Sequence, residues 1–218
     1  MERTITVRGT GKLSVKPDQI SISLTIRKQD KEYENAMAES ARLLENLRSS
    51  LADAGFRRED LKTVSFNVRT EYESQRDKNG VFHQVFVGYV CEHMLMVEFP
   101  FDTARLSKAL GAVSVCLAEP ELNVSFNIKD KEALTDALLK NAAENARMRA
   151  EALANASGVE LGELISISYN WKENNFTSPT NYGGSMRMLR AEAKGMDMAI
   201  EAQDIDVSEN AVFIWEIA

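Results

Sequence analysis

The stretch Gly9-Thr10-Gly11-Lys12-Leu13-Ser14-Val15-Lys16-Pro17-Asp18 runs on into Ile20-Ser21-Ile22-Ser23-Leu24-Thr25-Ile26. Its reading decides whether the chain opens as a nucleotide loop or as pleated backbone. A phosphate loop needs Gly, four residues, then Gly-Lys-Ser/Thr, because backbone N–H groups wrap the phosphates and a hydroxyl reaches Mg²⁺. Counting back from Gly11-Lys12, the first glycine position holds Thr6, and the hydroxyl position holds Leu13. The dinucleotide pattern fails too: Gly9 and Gly11 fit, but Ser14 stands where a third glycine is needed. Both motifs also demand a helix next. Here Lys12, Ser14 and Lys16 alternate with Leu13 and Val15, which is strand periodicity. Gly9 and Gly11 are therefore expected to allow a bulge or sharp bend within a strand.

Working outward, strand and helix patterns alternate along the chain. Ile5 and Val7 alternate with Thr4, Thr6 and Arg8. Ile20, Ile22, Leu24 and Ile26 alternate with polar partners, as a half-buried strand does. Asp30 is expected to cap a helix whose stripe is Tyr33, Met37, Leu44, Leu47 and Leu51, stopped by Gly55-Phe56. Val64, Phe66 and Val68 begin a strand. Val85, Val87, Tyr89, Cys91, His93, Leu95, Val97 and Phe99 form another, ended by Pro100. Asn79-Gly80 between them predicts a long hairpin. Asp102 caps a short helix with Leu106, Ala109, Leu110 and Val113. Leu122, Val124, Phe126 and Ile128 make a further strand.

Asp130 opens the longest helix, to about Ser157, with a seam of Leu134, Leu138, Ala142, Ala146, Ala150 and Leu153 and a stop at Gly158-Val159. Strands follow at Ile165-Ile167-Tyr169 and from Ile205 to Ile217. Between Trp171 and Ala199 alternation fails. Residues Asn174 to Gly184 read as an irregular insertion, a binding loop, an assembly loop or a disordered segment, with Met186, Met188, Met196 and Met198 suggesting an extra hairpin.

Composition narrows the function classes. With 218 residues, 44% hydrophobic and 27% charged, the chain has ordinary globular content. A net charge of −7 disfavours nucleic acid and anionic lipid as partners. No window is apolar for long enough to span a membrane. The N-terminus Met1-Glu2-Arg3-Thr4 enters a strand pattern without a leader signature, so the expectation is a cytoplasmic chain. The periplasm or cell envelope is the alternative if a leader has been removed.

Chemistry-bearing residues are sparse. Cys91 and His93 lie two apart on one strand, so they share a face. A metal site would need Cys116 or other ligands that the spacings do not supply. His83 is the other histidine. Ser21, Ser23, Ser65 and Ser125 lack a nucleophile-elbow motif. Arg147, Arg149, Arg187 and Arg190 read as an interface or ion-pair feature. No catalytic, cofactor-binding or metal residues are assigned.

The order of elements resembles the SIMPL-domain family over nearly the whole chain. The residues carrying the resemblance are Val7-Arg8-Gly9-Thr10-Gly11 with Pro17-Asp18, then Asp60-Leu61-Lys62-Thr63 after Gly55. Gly88-Tyr89-Val90 with Leu95 and Val97, and Asn123-Val124-Ser125-Phe126, follow. The alanine-rich run from Ala133 to Ala154, with Gly158 and Leu161-Gly162, completes it. The resemblance implies an α+β fold, antiparallel sheets covered by helices in the order ββαββαβαββ, with a smaller βαβα portion inserted in a larger one. The expected division is 1–85 with 160–218 as the larger subdomain, 86–159 as the insert, and 171–199 as the long loop or hairpin.

It further implies a group with largely unassigned biochemistry. Its relatives include periplasmic or outer-membrane antigens, proteins linked to oxidative-stress defence, ring-like oligomers and a mammalian kinase adaptor. The function expected is a non-enzymatic, self-associating binding or scaffold protein. It would contact partners through the 171–199 loop and the hairpin tip near Asn79. The alternative is a small-molecule-binding enzyme, or a redox protein using Cys91, Cys116 or the methionines.

Overall fold

The computed structural model describes residues 3–78, 80–170, 174–184 and 201–218. Asn79, Arg187, Arg190 and all four clustered methionines lie outside them. Among the described residues the strands and α-helices follow in order: β1 (Thr4–Val15), β2 (Gln19–Asp30), α1 (Tyr33–Asp53), β3 (Leu61–Arg76), β4 (Phe82–Pro100), α2 (Thr103–Val115), β5 (Glu121–Asn127), α3 (Lys131–Ser157), β6 (Leu161–Tyr169), β7 (Thr177–Gly184) and β8 (Ile205–Ile217). This is an α+β fold with two sheets, ordered β1-β8-β6 and β3-β4-β2-β5-β7.

One compact unit comprises residues up to Asp18, Asn127–Pro179 and Ala202–Ala218; the other comprises Gln19–Phe126 and Thr180–Glu201. β3 and β4 are paired arms of one hairpin, from Arg76↔Phe82 down to Leu61↔Val97, and both belong to the second unit.

In the first unit α3 lies over β1 and β8. β1 and β8 pair without interruption from Thr4↔Glu216 to Val15↔Ile205. Gly9 and Gly11 therefore mark no bulge, contrary to the expectation. Their role is steric. A Cβ on Gly9 would lie 2.0 Å from the Ala142 carbonyl oxygen, and one on Gly11 would lie 1.9 Å from that of Leu138. The helix backbone occupies the space where side chains would stand, a contact suited to Cα–H···O bonds. The buried row on α3 is Leu138, Ala142, Ala146, Ala150 and Ala154, each four residues on; Leu153 faces solvent. The same helix closes the β1 edge: Asn145 accepts the Thr10 N–H at 3.1 Å, and Arg149 donates to the Arg8 carbonyl at 3.1 Å.

In the second unit the segment from β2 through β5 reads βαββαβ, and its strands lie in the order β3-β4-β2-β5. This is the split βαβ arrangement. α1 packs on β2 and β4 and beside α2. Its buried stripe is Ala36, Ser40, Leu43, Leu47 and Leu51, turned from the expected one, so Tyr33 remains half exposed. Asp30 does not cap α1. It ends β2, and its carboxylate accepts the Glu32 N–H at 2.9 Å.

The segment read as irregular contains β7, which takes the edge beside β5 and makes the order ββαββαβαβββ. Phe176 just before it is buried with Ile128, Leu138, Ile205 and Val207. Its Thr, Pro, Asn and Gly content hides the strand because an edge strand need not alternate.

Candidate functional site

The thiol–imidazole pair that the sequence offered is core. Cys91 and His93 are buried on one face of β4, and Cys116 is buried at the C-cap of α2. His93 Nε2 lies 2.9 Å from the Thr63 hydroxyl, and the Phe66 ring meets the imidazole edge-on at 5.0 Å. Burial, and secondarily the charge of Arg48, hold His93 below the ordinary imidazole range. Among the described residues no group of three or more His, Cys, Asp or Glu side chains is placed to hold a metal ion.

Ser21 is buried and donates to Glu98 at 3.0 Å. Arg147 pairs with Glu151 at 3.0 Å along α3, in line with an ion-pair role. The Asp60-Leu61-Lys62-Thr63 motif is structural. The Asp60 carboxylate accepts from the Arg57 backbone and side chain and faces Arg105 at 3.8 Å. Arg57 hydrogen bonds, chiefly, hold Asp60 below its ordinary range.

The surface that stands out is the β3–β4 hairpin beyond the end of β2. The last β2–β4 pair is Asp30↔Tyr89, so among the described residues only β3 pairs with Phe82–Gly88. Register shifts between Glu71 and Tyr72, where Val87 is the extra residue opposite. The next residue, Gly88, has φ +146°, and a Cβ there would lie 2.4 Å from the Asp30 carbonyl oxygen. Bulge and glycine together let the arm leave the sheet. One face of the arm carries Tyr72, Phe86 and Phe82, with Arg76 5.8 Å above the Phe82 ring.

These apolar groups are open to solvent: Phe82 is 66% exposed and Tyr72 53%. A ring ladder holds the arm at its root, with Tyr72–Phe86 at 5.6 Å, Phe86–Tyr89 at 5.3 Å and Tyr33–Tyr89 at 5.7 Å. Each such pair contributes about 0.5–1.5 kcal/mol beyond area burial. At the turn Asp77 organises the backbone, accepting the Gly80 N–H at its carbonyl and the Val81 N–H at its carboxylate. It meets His83 at 3.0 Å.

The first unit has an open edge at β6. No strand flanks β6 on the side away from β8 among the described residues, and Leu164, Ile165 and Ile167 are exposed, the last at 56%. An apolar strand with a free edge is a template for pairing with another chain. The hairpin was legible from Asn79-Gly80. The solvent exposure of its aromatics was not, because alternation alone does not say whether a covering layer exists.

The chain is 26% identical over 210 residues to the "26 kDa periplasmic immunogenic protein" of Brucella melitensis biotype 1, covering 96% of this chain and 83% of that protein. It is 25% identical, over the same shares, to the protein of that name from Brucella abortus strain S19. Residues 5–214 match the SIMPL family, described as proteins of unknown function (DUF541), and the chain belongs to that family.

Proposed function

We propose that this chain is a non-enzymatic, self-associating binding or scaffold protein of the cell envelope. The observation that carries the reading is the projecting arm. A two-stranded ribbon is marginal in water by itself, and this one exposes Tyr72, Phe82, Val85 and Phe86. Such a surface is stabilised when another chain covers it. The open β6 edge, in the other unit, supplies a different apolar patch. Two unlike patches on one chain suit head-to-tail contacts, which close into rings or run on as filaments. The placement of Cys91 and His93 within the core supports a role other than thiol or imidazole catalysis. The relatives named as periplasmic favour the envelope over the cytoplasm that the sequence first suggested.

Native mass spectrometry and light scattering across a concentration series test the reading. The expected species is a stable multiple of 24.4 kDa. Phe82→Ser, at an exposed position outside the ring ladder, should lower that multiple while leaving the melting temperature of the subunit nearly unchanged. A monomer at every concentration would refute self-association.

A further inference from the structure

α3 covers one face of the β1-β8-β6 sheet, and Gly9 and Gly11 are pressed against it. Arg8, Thr10 and Lys12 alternate with those glycines and so point to the other face. Cross-strand pairing lays that face out in rows: Arg8 beside Val212 and Ser168, Thr10 beside Asn210, and Lys12 beside Ser208. Arg8, Lys12, Ser208 and Asn210 are all exposed.

A flat polar sheet face is only solvated, but this one is hollow. β6 ends at Tyr169, and the chain beyond borders the face at Asn170 and again at Asn174. Together with Arg8, Ser168, Ser208 and Asn210 they enclose a polar cleft of about 430 Å³. That volume is within the range of small-molecule sites. Every one of these residues belongs to the first unit.

The groups turned toward the cleft favour an anion. Arg8 forms no ion pair among the described residues. Arg149 donates to the Arg8 carbonyl at 3.1 Å, which brings a second guanidinium to the same strand. The Asn210 side-chain oxygen accepts the Thr10 hydroxyl at 2.8 Å, so the Asn210 NH₂ group is left to donate. Glu209 borders the cleft with its backbone, because its side chain belongs to the buried row that faces α3. It stands three residues, about 10 Å, along β8 from the row of Arg8 and Val212. Asp206 is further off, opposite Ser14.

We infer that this cleft binds a small sugar bearing one oxyanion, its charged group on Arg8 and its hydroxyls on the serine and asparagine groups. A carboxylate or phosphoryl group takes the paired N–H bonds of a guanidinium. Sugar hydroxyls donate and accept, as the Ser168 and Ser208 hydroxyls and the Asn170 amide require. A cation would be repelled by Arg8, and an apolar ligand would desolvate the polar walls without replacing their hydrogen bonds. The site does not depend on self-association.

Calorimetry on the full chain tests this with D-glucuronate and D-glucose 6-phosphate, which separate a carboxylate from a phosphate source. Neutral D-glucose and inorganic phosphate are the controls. At least one charged sugar is expected to bind, about tenfold or more tighter than either control. Arg8→Gln and Asn210→Ala, both at exposed positions, should each weaken that binding, the first by about tenfold, without changing the unliganded melting temperature. Lys108→Gln, on α2, should bind as the parent does, since it removes a charge elsewhere. The inference fails if neither charged sugar gives heat up to about 10 mM. It fails equally if glucose or inorganic phosphate binds as tightly, if the Arg8 variant binds unchanged, or if the Lys108 variant loses as much as the Arg8 variant.

Discussion

At the residue scale, the two opening glycines show how little of a side chain's purpose is visible locally. That they lie in a strand was legible from the alternation of Lys12, Leu13, Ser14 and Val15, but its unbroken pairing was not, since a bulge or bend was expected there. Their reason was not, because it lies in the carbonyls of Leu138 and Ala142, far along the chain on α3. Backbone carbonyls cannot step aside as a flexible side chain can, so Gly11→Ala must displace the helix. Overpacking of this kind costs about 1–3 kcal/mol, and sometimes more. Gly111 provides the opposite case. It sits inside α2 with nothing within 4 Å of where a Cβ would go. Gly111→Ala should therefore gain the helix propensity of alanine, about 0.8–1 kcal/mol. Melting curves of the two variants should move in opposite directions, by a few degrees each. Equal shifts would mean that the glycines serve conformation and not close approach.

Elements that bury one face were legible, and elements at edges were not. β2 and β4 announce themselves because each presents a continuous apolar row to α1. β7 escaped because Thr177-Ser178-Pro179-Thr180-Asn181-Tyr182 carries the composition of a loop, and its place beside β5 is set by tertiary pairing. Helix starts divide the same way. Asp130 is a true N-cap, its carboxylate accepting the Ala133 N–H at 2.9 Å, and the sequence named it. Glu32 occupies the N-cap of α1 with no side-chain bond to the helix backbone, its carboxylate accepting instead from the Asn35 side chain at 3.2 Å, because Asp30 is still part of β2. Asp130→Ala should consequently destabilise by about 1 kcal/mol, the usual loss of a working cap. Glu32→Ala should change little. Chemical denaturation of both variants checks this, and a cost at Glu32 matching that at Asp130 would contradict the assignment.

For the whole molecule, the exceptions to alternation fall where topology supplies the partners. Glu209 occupies a position that the pattern of β8 reserves for core, and the exposed arm occupies positions that the pattern of β3 and β4 treats as buried. Neither could be read without the partners that topology brings. Global stability integrates such placements through linked protonation. His93, beside Thr63 and Phe66 and under the field of Arg48, has its proton affinity lowered in the folded state from the ordinary 6.5. The unfolded chain then binds that proton more readily. Stability from this source is complete above about pH 6.5 and declines as pH falls below it. Asp60, held low chiefly by Arg57, acts in a separate window. Its contribution is present above the ordinary aspartate value of 3.8 and is lost only as pH falls through and below it. Denaturant titrations at pH 7.5, 6.0 and 5.0, values chosen to bracket about 6.5 and stay above Asp60, separate the two. The native chain should lose stability across that series. His93→Gln, which keeps a partner for the Thr63 hydroxyl, should lose clearly less. Parallel losses in both proteins would remove His93 as the source of the acid sensitivity.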